Sequence, residues 1–406
     1  MHILDTLKER GFIAQVTFEE DLYKAMEQPM TFYLGIDPTA DSLHVGHFIP
    51  ILMSAHLQRA GHKPVMLCGG GTAMVGDPSG KTDLRKMMTR ETIAANVAAI
   101  QKQLSRFITF GEDQAIMVNN ADWLLNLNYV DFLRDIGALF SVNHMLAADC
   151  YKKRLEVGLT FLEFNYMLMQ SYDFLELFKR HNCRLQIGGD DQWSNILSGA
   201  DLIRRKEREP AFALTCKLIM TADGKKMGKT EKGALWLDPA RTSPYEFYQY
   251  WRNVQDADVE RFLGLLTFLP MDEVRRLGAL RDSAINEAKQ VLAYEVTKLI
   301  HGEEEALKAQ EASKALFGGV GNLDNVPTYT MTPAMLAEDA RLTTLLAACG
   351  LCSSRGEARK MVQSGAVLVG EEKATDIEQV ITAGQIGENG LLLRKGKKSY
   401  CRLVLS

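Results

Sequence analysis

Residues 30–215 alternate short apolar, strand-like runs with amphipathic helical stretches, and this alternation restricts the fold more than any other feature of the chain. Runs such as Val65-Met66-Leu67-Cys68 and residues 114–118, separated by helical stretches, predict an α/β fold with a parallel sheet covered on both faces. In such a sheet, ligands sit at the carboxyl ends of the strands, where the turns at His44 and at residues 69–71 fall. From about residue 243 to residue 301 the pattern becomes helical, including 259–266 and 288–299. Residues 318–333, which contain Gly and Pro, read as a linker. The remainder opens with helical segments at 342–349 and 355–363 and ends in strands between 366 and 405. A length of 406 residues fits two or three domains with ample core.

Two motifs about 180 residues apart carry the chemistry. His44-Val45-Gly46-His47 follows the turn Asp37-Pro38-Thr39 and opens the apolar helical run 45–57. Histidines three apart share a helix face, and Gly46 between them lets a ligand approach the backbone. Amides at a helix N-terminus attract anions, so a phosphate is the natural guest. By itself this motif also admits a zinc pair or two surface histidines, although no Cys or Glu follows at metal-site spacing. The second motif, Lys226-Met227-Gly228-Lys229-Thr230, lies in a loop marked by Asp223-Gly224. Its two lysines can close on one pyrophosphate, where charge builds up in a transition state. A lysine-rich loop alone is equally a solvated turn. As an ordered pair, the motifs equip an enzyme that activates a carboxylate with ATP. The stretch Gly76-Asp77-Pro78-Ser79-Gly80-Lys81-Thr82 is not a P-loop, because position 75 is Val where a glycine is required.

Net charge is −4, but residues 341–406 hold ten Lys or Arg against six Asp or Glu, so a small basic module hangs on an acidic body. Seven scattered cysteines suit free thiols in a reducing cytosol, and Cys349-x-x-Cys352 has no second pair to make a zinc ribbon. Residues 1–10 mix acids and bases, so no signal or transit segment is expected, and no window approaches a membrane span. A cytoplasmic protein without a membrane partner is expected.

The two motifs join Tyr33-Leu34-Gly35-Ile36-Asp37-Pro38-Thr39-Ala40-Asp41-Ser42-Leu43, Gly76-Asp77-Pro78-Ser79-Gly80-Lys81, Leu185-Gln186-Ile187-Gly188-Gly189 and Trp236-Leu237-Asp238-Pro239. With these stretches the chain, from about residue 12 to its end, resembles the bacterial-type tyrosyl-tRNA synthetases, a class I aminoacyl-tRNA synthetase family. The resemblance implies a Rossmann-like catalytic domain over 1–220. It then implies a signature loop (226–230) with an α-helical anticodon-side domain over 221–320, a linker over 321–338, and a small α+β, S4-like RNA-binding domain over 339–406. The implied activity is tyrosine activation by ATP to tyrosyl-adenylate, followed by transfer to the 3′-terminal ribose of tRNA(Tyr). Magnesium would accompany ATP, with no tightly bound metal or organic cofactor, and the protein would be a homodimer.

The resemblance also distributes roles. His44, His47, Thr39, Lys226, Lys229 and Thr230 would grip the phosphates, with Thr39 donating toward the γ-phosphate. ATP would lie against Gly35, Asp37, Gly46, Lys81, Arg85, Gly188, Asp191 and Met227, with Asp191 at the ribose. Tyrosine would be held by Tyr33, Asp77, Tyr166, Gln170, Asp173, Gln186 and Gln192. Tyr33 and Asp173 would read the phenol hydroxyl, and Asp77 would accept from the ammonium group. Spacings of four and three place Tyr166, Gln170 and Asp173 on one face of a helix expected over 161–178. On spacing alone, Tyr166 could equally be core, Asp173 a surface charge and Asp77 an Asp-Pro turn. Arg355, Arg359 and Lys360 on one helix face, with Lys395, Lys397 and Lys398 at a hairpin edge, would track RNA phosphates. Asp190 beside Asp191, and Leu34, depart from the family pattern at the ribose. A tryptophanyl-tRNA synthetase and a synthetase-derived RNA-binding or splicing cofactor are the rival readings.

Overall fold

The computed structural model describes residues 1–79, 88–220, 227, 229–230, 233–318, 327–370, 372–387, 390–396 and 399–406. The chain forms two compact units, one of residues 1–241 and 254–288, the other of residues 242–253 and 289–406.

The first unit is built on strands β1 (Ile13–Val16), β2 (Thr31–Ile36), β3 (Lys63–Cys68), β4 (Ile116–Asn119), β5 (Cys183–Gly189) and β6 (Phe212–Cys216), in the order β1-β6-β5-β2-β3-β4. All neighbours are parallel except β1, which closes one edge antiparallel to β6. Phe32, Tyr33 and Leu34 of β2 are buried, as expected for a strand covered on both faces. β2 pairs with β3 on one side and β5 on the other, so its carboxyl end is a topological switch point where a ligand crevice opens.

Helix Val45–Arg59 leaves that end of β2 and is buried over most of its length. Residues 235–237, a few positions past the second motif, are stitched to its start. The Val45 amide donates to the Leu235 carbonyl at 3.0 Å, and the Leu237 amide to that of Leu43 at 2.9 Å. Lys229–Thr230 and Gly233–Ala234 pair as the short antiparallel hairpin β7–β8. Met227 of the second motif thereby lines the same cavity as His44 and His47, far apart in sequence though they are.

The helix expected over 161–178 is instead two pieces, Phe161–Phe164 and Tyr166–His181, with Asn165 between them. The first piece has its own start signal: the Thr160 hydroxyl accepts from the Glu163 amide at 3.2 Å, while Glu163 accepts from the Thr160 amide at 3.1 Å. Thr160→Ala removes this reciprocal cap, and urea unfolding should show a loss of about 1 kcal/mol.

In the second unit, β9 (Thr328–Met331), β10 (Val367–Val369), β11 (Glu372–Lys373), β12 (Leu391–Lys395) and β13 (Ser399–Leu405) form a sheet in the order β11-β10-β12-β13-β9. Helices Leu342–Ala348 and Arg355–Gln363 pack on it around Leu342, Leu346, Val362, Val367, Leu393 and Leu403. Part of the stretch expected as a linker is thus structured. Thr328–Met331 pairs in parallel with β13, and Pro333–Glu338 is helical behind a Thr332 cap. A four-residue edge strand whose partner lies 70 residues downstream leaves little local signal beyond its alternation.

Candidate functional site

A cavity of about 540 Å³ opens at the carboxyl ends of β2 and β5, a size suited to a small-molecule site. Tyr33, Gly35, Asp37, Thr39, His44, Gly46 and His47 reach it from β2 and the turn that follows. Asp77, Tyr166, Gln170 and Asp173 line it from beyond β3 and from helix Tyr166–His181, and Gln186, Gly188, Asp191, Gln192 and Met227 complete the wall. Gly80, Lys81, Arg85, Lys226 and Gly228 lie outside the described residues, as do Lys397 and Lys398. For Lys229 and Thr230 only the backbone is described. Arg355, Arg359, Lys360 and Lys395 belong to the second unit.

The two histidines are wired to the backbone in a specific way. His44 is the N-cap of its helix and accepts at Nδ1 from the Gly46 amide at 3.0 Å. His47 accepts at Nδ1 from the His44 amide at 3.3 Å, and the rings stack with centroids 4.0 Å apart. An Nδ1 that accepts places the proton of a neutral ring on Nε2, so both imidazoles are donors at Nε2. The sequence reading gave Gly46 to close ligand approach. A Cβ at Gly46 would also lie 2.7 Å from the His44 ring, so the glycine makes room for that ring as well.

The part of the cavity around Asp37 and Asp173 is a connected polar network. Tyr166 donates to Asp37 at 3.0 Å, and Thr72 donates to the other oxygen of Asp37 at 2.8 Å. Asn120 donates to the Thr72 hydroxyl at 3.0 Å and to Asp173 at 2.9 Å, and the Trp123 indole donates to the second oxygen of Asp173 at 2.7 Å. Thr72, Asn120 and Trp123 escaped the sequence reading. The available signal was polar residues at the carboxyl ends of β3 and β4, where a ligand crevice forms. The turn at Gly69 is tight for the same reason, since a Cβ there would fall 2.1 Å from an Asp37 oxygen. Asp77 accepts from the Gln192 amide group at 2.7 Å and from the Ser79 amide at 2.9 Å, which fixes its orientation. Asp190 accepts from Gln15 at 2.8 Å and Thr215 at 3.0 Å, away from the cavity, and the acid facing it is Asp191.

Three buried polar atoms in this wall have no hydrogen-bond partner among the described residues: the Tyr33 hydroxyl and the side-chain oxygens of Gln170 and Gln186. Buried polar groups are costly unless satisfied, so a polar ligand is what completes them. Burial pushes the Asp173 carboxyl up to about 8, against the pull of Asn120 and Trp123, with a further push from Asp37. Burial likewise raises the Tyr33 phenol well above its ordinary range. An aspartate raised in the folded state holds a proton that the unfolded chain has released, so its contribution to stability falls as pH rises from about 4 to about 8. Relative to Asp173→Asn, wild-type protein should therefore lose stability across that window, as read by unfolding midpoints in buffers of graded pH.

The profile of the class I tRNA synthetases (W and Y) matches residues 24–318, and that of the tyrosine–tRNA ligase SYY-like C-terminal domain matches 320–403. The tyrosine–tRNA ligase of Clostridium botulinum (strain Loch Maree / Type A3) is 59% identical over 406 residues, covering 100% of this chain and 99% of its own. That of Caldanaerobacter subterraneus subsp. tengcongensis is 58% identical, with both chains covered completely. Among solved structures, a C-terminally truncated mitochondrial tyrosyl-tRNA synthetase from Aspergillus nidulans superposes with a TM-score of 0.70 at 31% identity, covering 78% of this chain and 94% of its own. A tryptophanyl-tRNA synthetase from Encephalitozoon cuniculi shares the fold alone, at 14% identity and a TM-score of 0.56 over 75% of this chain and 87% of its own. The chain belongs to the class I tRNA synthetases, and within them to the tyrosine–tRNA ligases.

Proposed function

We propose that this chain joins tyrosine to tRNA(Tyr) in two steps, both centred on the cavity of the first unit. The observation that carries this reading is the set of unpartnered Tyr33, Gln170 and Gln186 atoms in the same wall as Asp173 and the stacked histidines. A phenol hydroxyl both donates and accepts, and Tyr33 with Asp173 can meet both needs. Asp77, Tyr166 and Gln170 take the ammonium end, and Gln186 and Gln192 lie along the amino acid. The adenosine passes Gly35 and Gly188, with its ribose at Asp191, while Asp37 orients Tyr166 as well as facing the nucleotide.

A tyrosine carboxylate oxygen attacks the α-phosphorus, a new P–O bond forms, and the bond to the bridging α–β oxygen breaks. Pyrophosphate leaves with that electron pair. The enzyme supplies positioning and charge stabilisation. His44 and His47 donate from Nε2, and Thr39, Lys226, Lys229 and Thr230 complete the grip. Magnesium arrives with ATP, held mostly by phosphate and water. The terminal ribose hydroxyl of the tRNA then attacks the tyrosyl carbonyl carbon and releases AMP. The helical segments after residue 242 and the domain over 339–406 take the RNA, with Arg355, Arg359, Lys360 and Lys395 on the phosphate-tracking face.

Two further elements belong to the reading. Exposed Tyr129, Val130, Val142, Val157 and Phe161 form apolar surface of the kind covered in a homodimer. Cytoplasmic residence is supported by seven cysteines, six of them buried and none in a disulfide among the described residues, which suit a reducing compartment. No helix among the described residues is long and apolar enough to cross a membrane. The test is amino-acid-dependent ATP–pyrophosphate exchange with tyrosine, tryptophan and phenylalanine in parallel. Exchange with tyrosine alone is expected; exchange with tryptophan would overturn the pocket assignment.

A further inference from the structure

The second unit carries three arginines joined by two carboxylates, and those carboxylates are held very differently. Asp339 is built in. Its oxygens accept from Arg341 Nε and Nη2 and from the Thr344 hydroxyl, each at 2.8 Å, and from the Arg341 amide at 3.2 Å. Arg355 Nη2 lies 3.4 Å away, and the Asp339 side chain is only 19% exposed. The Arg341 guanidinium holds its carboxyl well below the ordinary range. Glu378 is 56% exposed and stands between two guanidiniums, with Arg341 Nη1 4.0 Å from one oxygen and Arg359 Nη2 3.8 Å from the other. Neither contact is of hydrogen-bond length.

The backbone beneath this loose carboxylate is fixed. Arg341 and Val380 form an antiparallel bridge, the Leu342 amide donates to the Gln379 carbonyl at 2.8 Å, and the Ile381 amide donates to the Ala340 carbonyl at 2.9 Å. Arg359 rides on helix Arg355–Gln363. Two guanidiniums on ordered elements thus bracket a gap that an exposed acid fills weakly.

We infer that the gap between Arg341 and Arg359 is a binding position for one RNA backbone phosphate, which enters by displacing the Glu378 carboxylate. The inference deepens the reading of this unit as the RNA-binding part of the enzyme and rests on it. A phosphodiester presents one negative charge on two non-bridging oxygens, as a carboxylate does, so the exchange leaves the local charge unchanged. Guanidinium forks suit phosphate oxygens better than a carboxylate at the limit of ion-pair range. Exposed ion pairs contribute little, so the acid is easily displaced. Asp339 is the fixed counterpart that aims Arg341. Glu378 competes with every polyanion, which lowers affinity for RNA that cannot seat a phosphate here.

The test is fluorescence anisotropy of labelled tRNA(Tyr) with the full-length chain over a range of KCl concentrations. Glu378→Gln should tighten binding about threefold to tenfold near 0.1 M salt, because a competing charge is gone. Arg341→Gln should weaken binding about tenfold and reduce the log–log salt slope by about one. In the double variant the gain from Glu378→Gln should vanish, since the gap has lost a wall. Arg341→Gln also frees Asp339, so thermal unfolding is followed alongside; Glu378→Gln touches none of Asp339's contacts and carries the test independently of folding. Wild-type binding by Glu378→Gln at every salt concentration would overturn the phosphate position and leave the RNA-binding reading intact. Absence of tRNA binding by the unsubstituted chain would overturn both.

Discussion

His47→Ala is expected to slow tyrosyl-adenylate formation by about 10²–10³-fold, the usual effect of removing one donor aimed at developing charge. Tyrosine affinity measured without ATP should change by less than about twofold, because Tyr33 and Asp173, the groups proposed to read the phenol, lie on β2 and on helix Tyr166–His181. The prediction follows from the tautomer set by the backbone. Both Nδ1 atoms accept from amides, so both Nε2 atoms carry protons. The helix keeps its His44 cap but loses the reciprocal bond that His47 accepts from the His44 amide, and unfolding should show a cost of about 1 kcal/mol, separable from the kinetic effect. His44 and His47 stack as one unit, so adding His44→Ala should cost less in rate than the sum of the single losses. Single-turnover kinetics decides the matter. If ATP affinity weakens while the chemical step keeps its rate, the histidines bind ground-state phosphate and do no more.

The parallel sheet was legible because strand-like runs recur between helical stretches, a pattern that tertiary context rarely reverses. β1 was not. Ile13-Ala14-Gln15-Val16 is too short to announce itself, and its pairing with β6 joins residues 200 apart. Asn165 divides a helix that spacing alone reads as continuous, yet the division spares the face bearing Tyr166, Gln170 and Asp173, all of which line the cavity. Of the residues recognised by motif, His44, His47, Asp77, Gly188 and Met227 line one cavity, whereas those that orient them were hidden. Asn120 and Trp123 acquire their purpose from Asp173, 53 and 50 positions later, which no local pattern encodes. Gly46 was marked by the motif and lines the cavity, but only the placed His44 ring shows what a side chain there would strike. The choice between Asp190 and Asp191 likewise needed the partners Gln15 and Thr215, which draw the first acid away.

Asp173→Ala is expected to lower kcat/KM for tyrosine activation by about 10²–10³-fold, since it removes the hydrogen-bond partner proposed for the phenol hydroxyl and strands two buried donors. The stranded donors are Asn120 and Trp123, both aimed at the lost carboxylate. Tyr33→Phe makes the sharper companion. Its hydroxyl is buried and unpartnered in the free protein, so deleting it removes no intramolecular hydrogen bond. Stability should stay level or rise, while tyrosine activation falls about tenfold, as for the loss of one hydrogen bond. Phenylalanine activation should hold or improve, because a phenylalanine ring no longer strands that hydroxyl. The two variants thus separate a group that the fold itself uses from one left unsatisfied for the ligand. Parallel exchange assays with tyrosine and phenylalanine, set beside urea unfolding, read the distinction. A destabilised Tyr33→Phe protein that retained its tyrosine preference would mean that this hydroxyl serves the core, and Asp173 alone would then have to read the phenol.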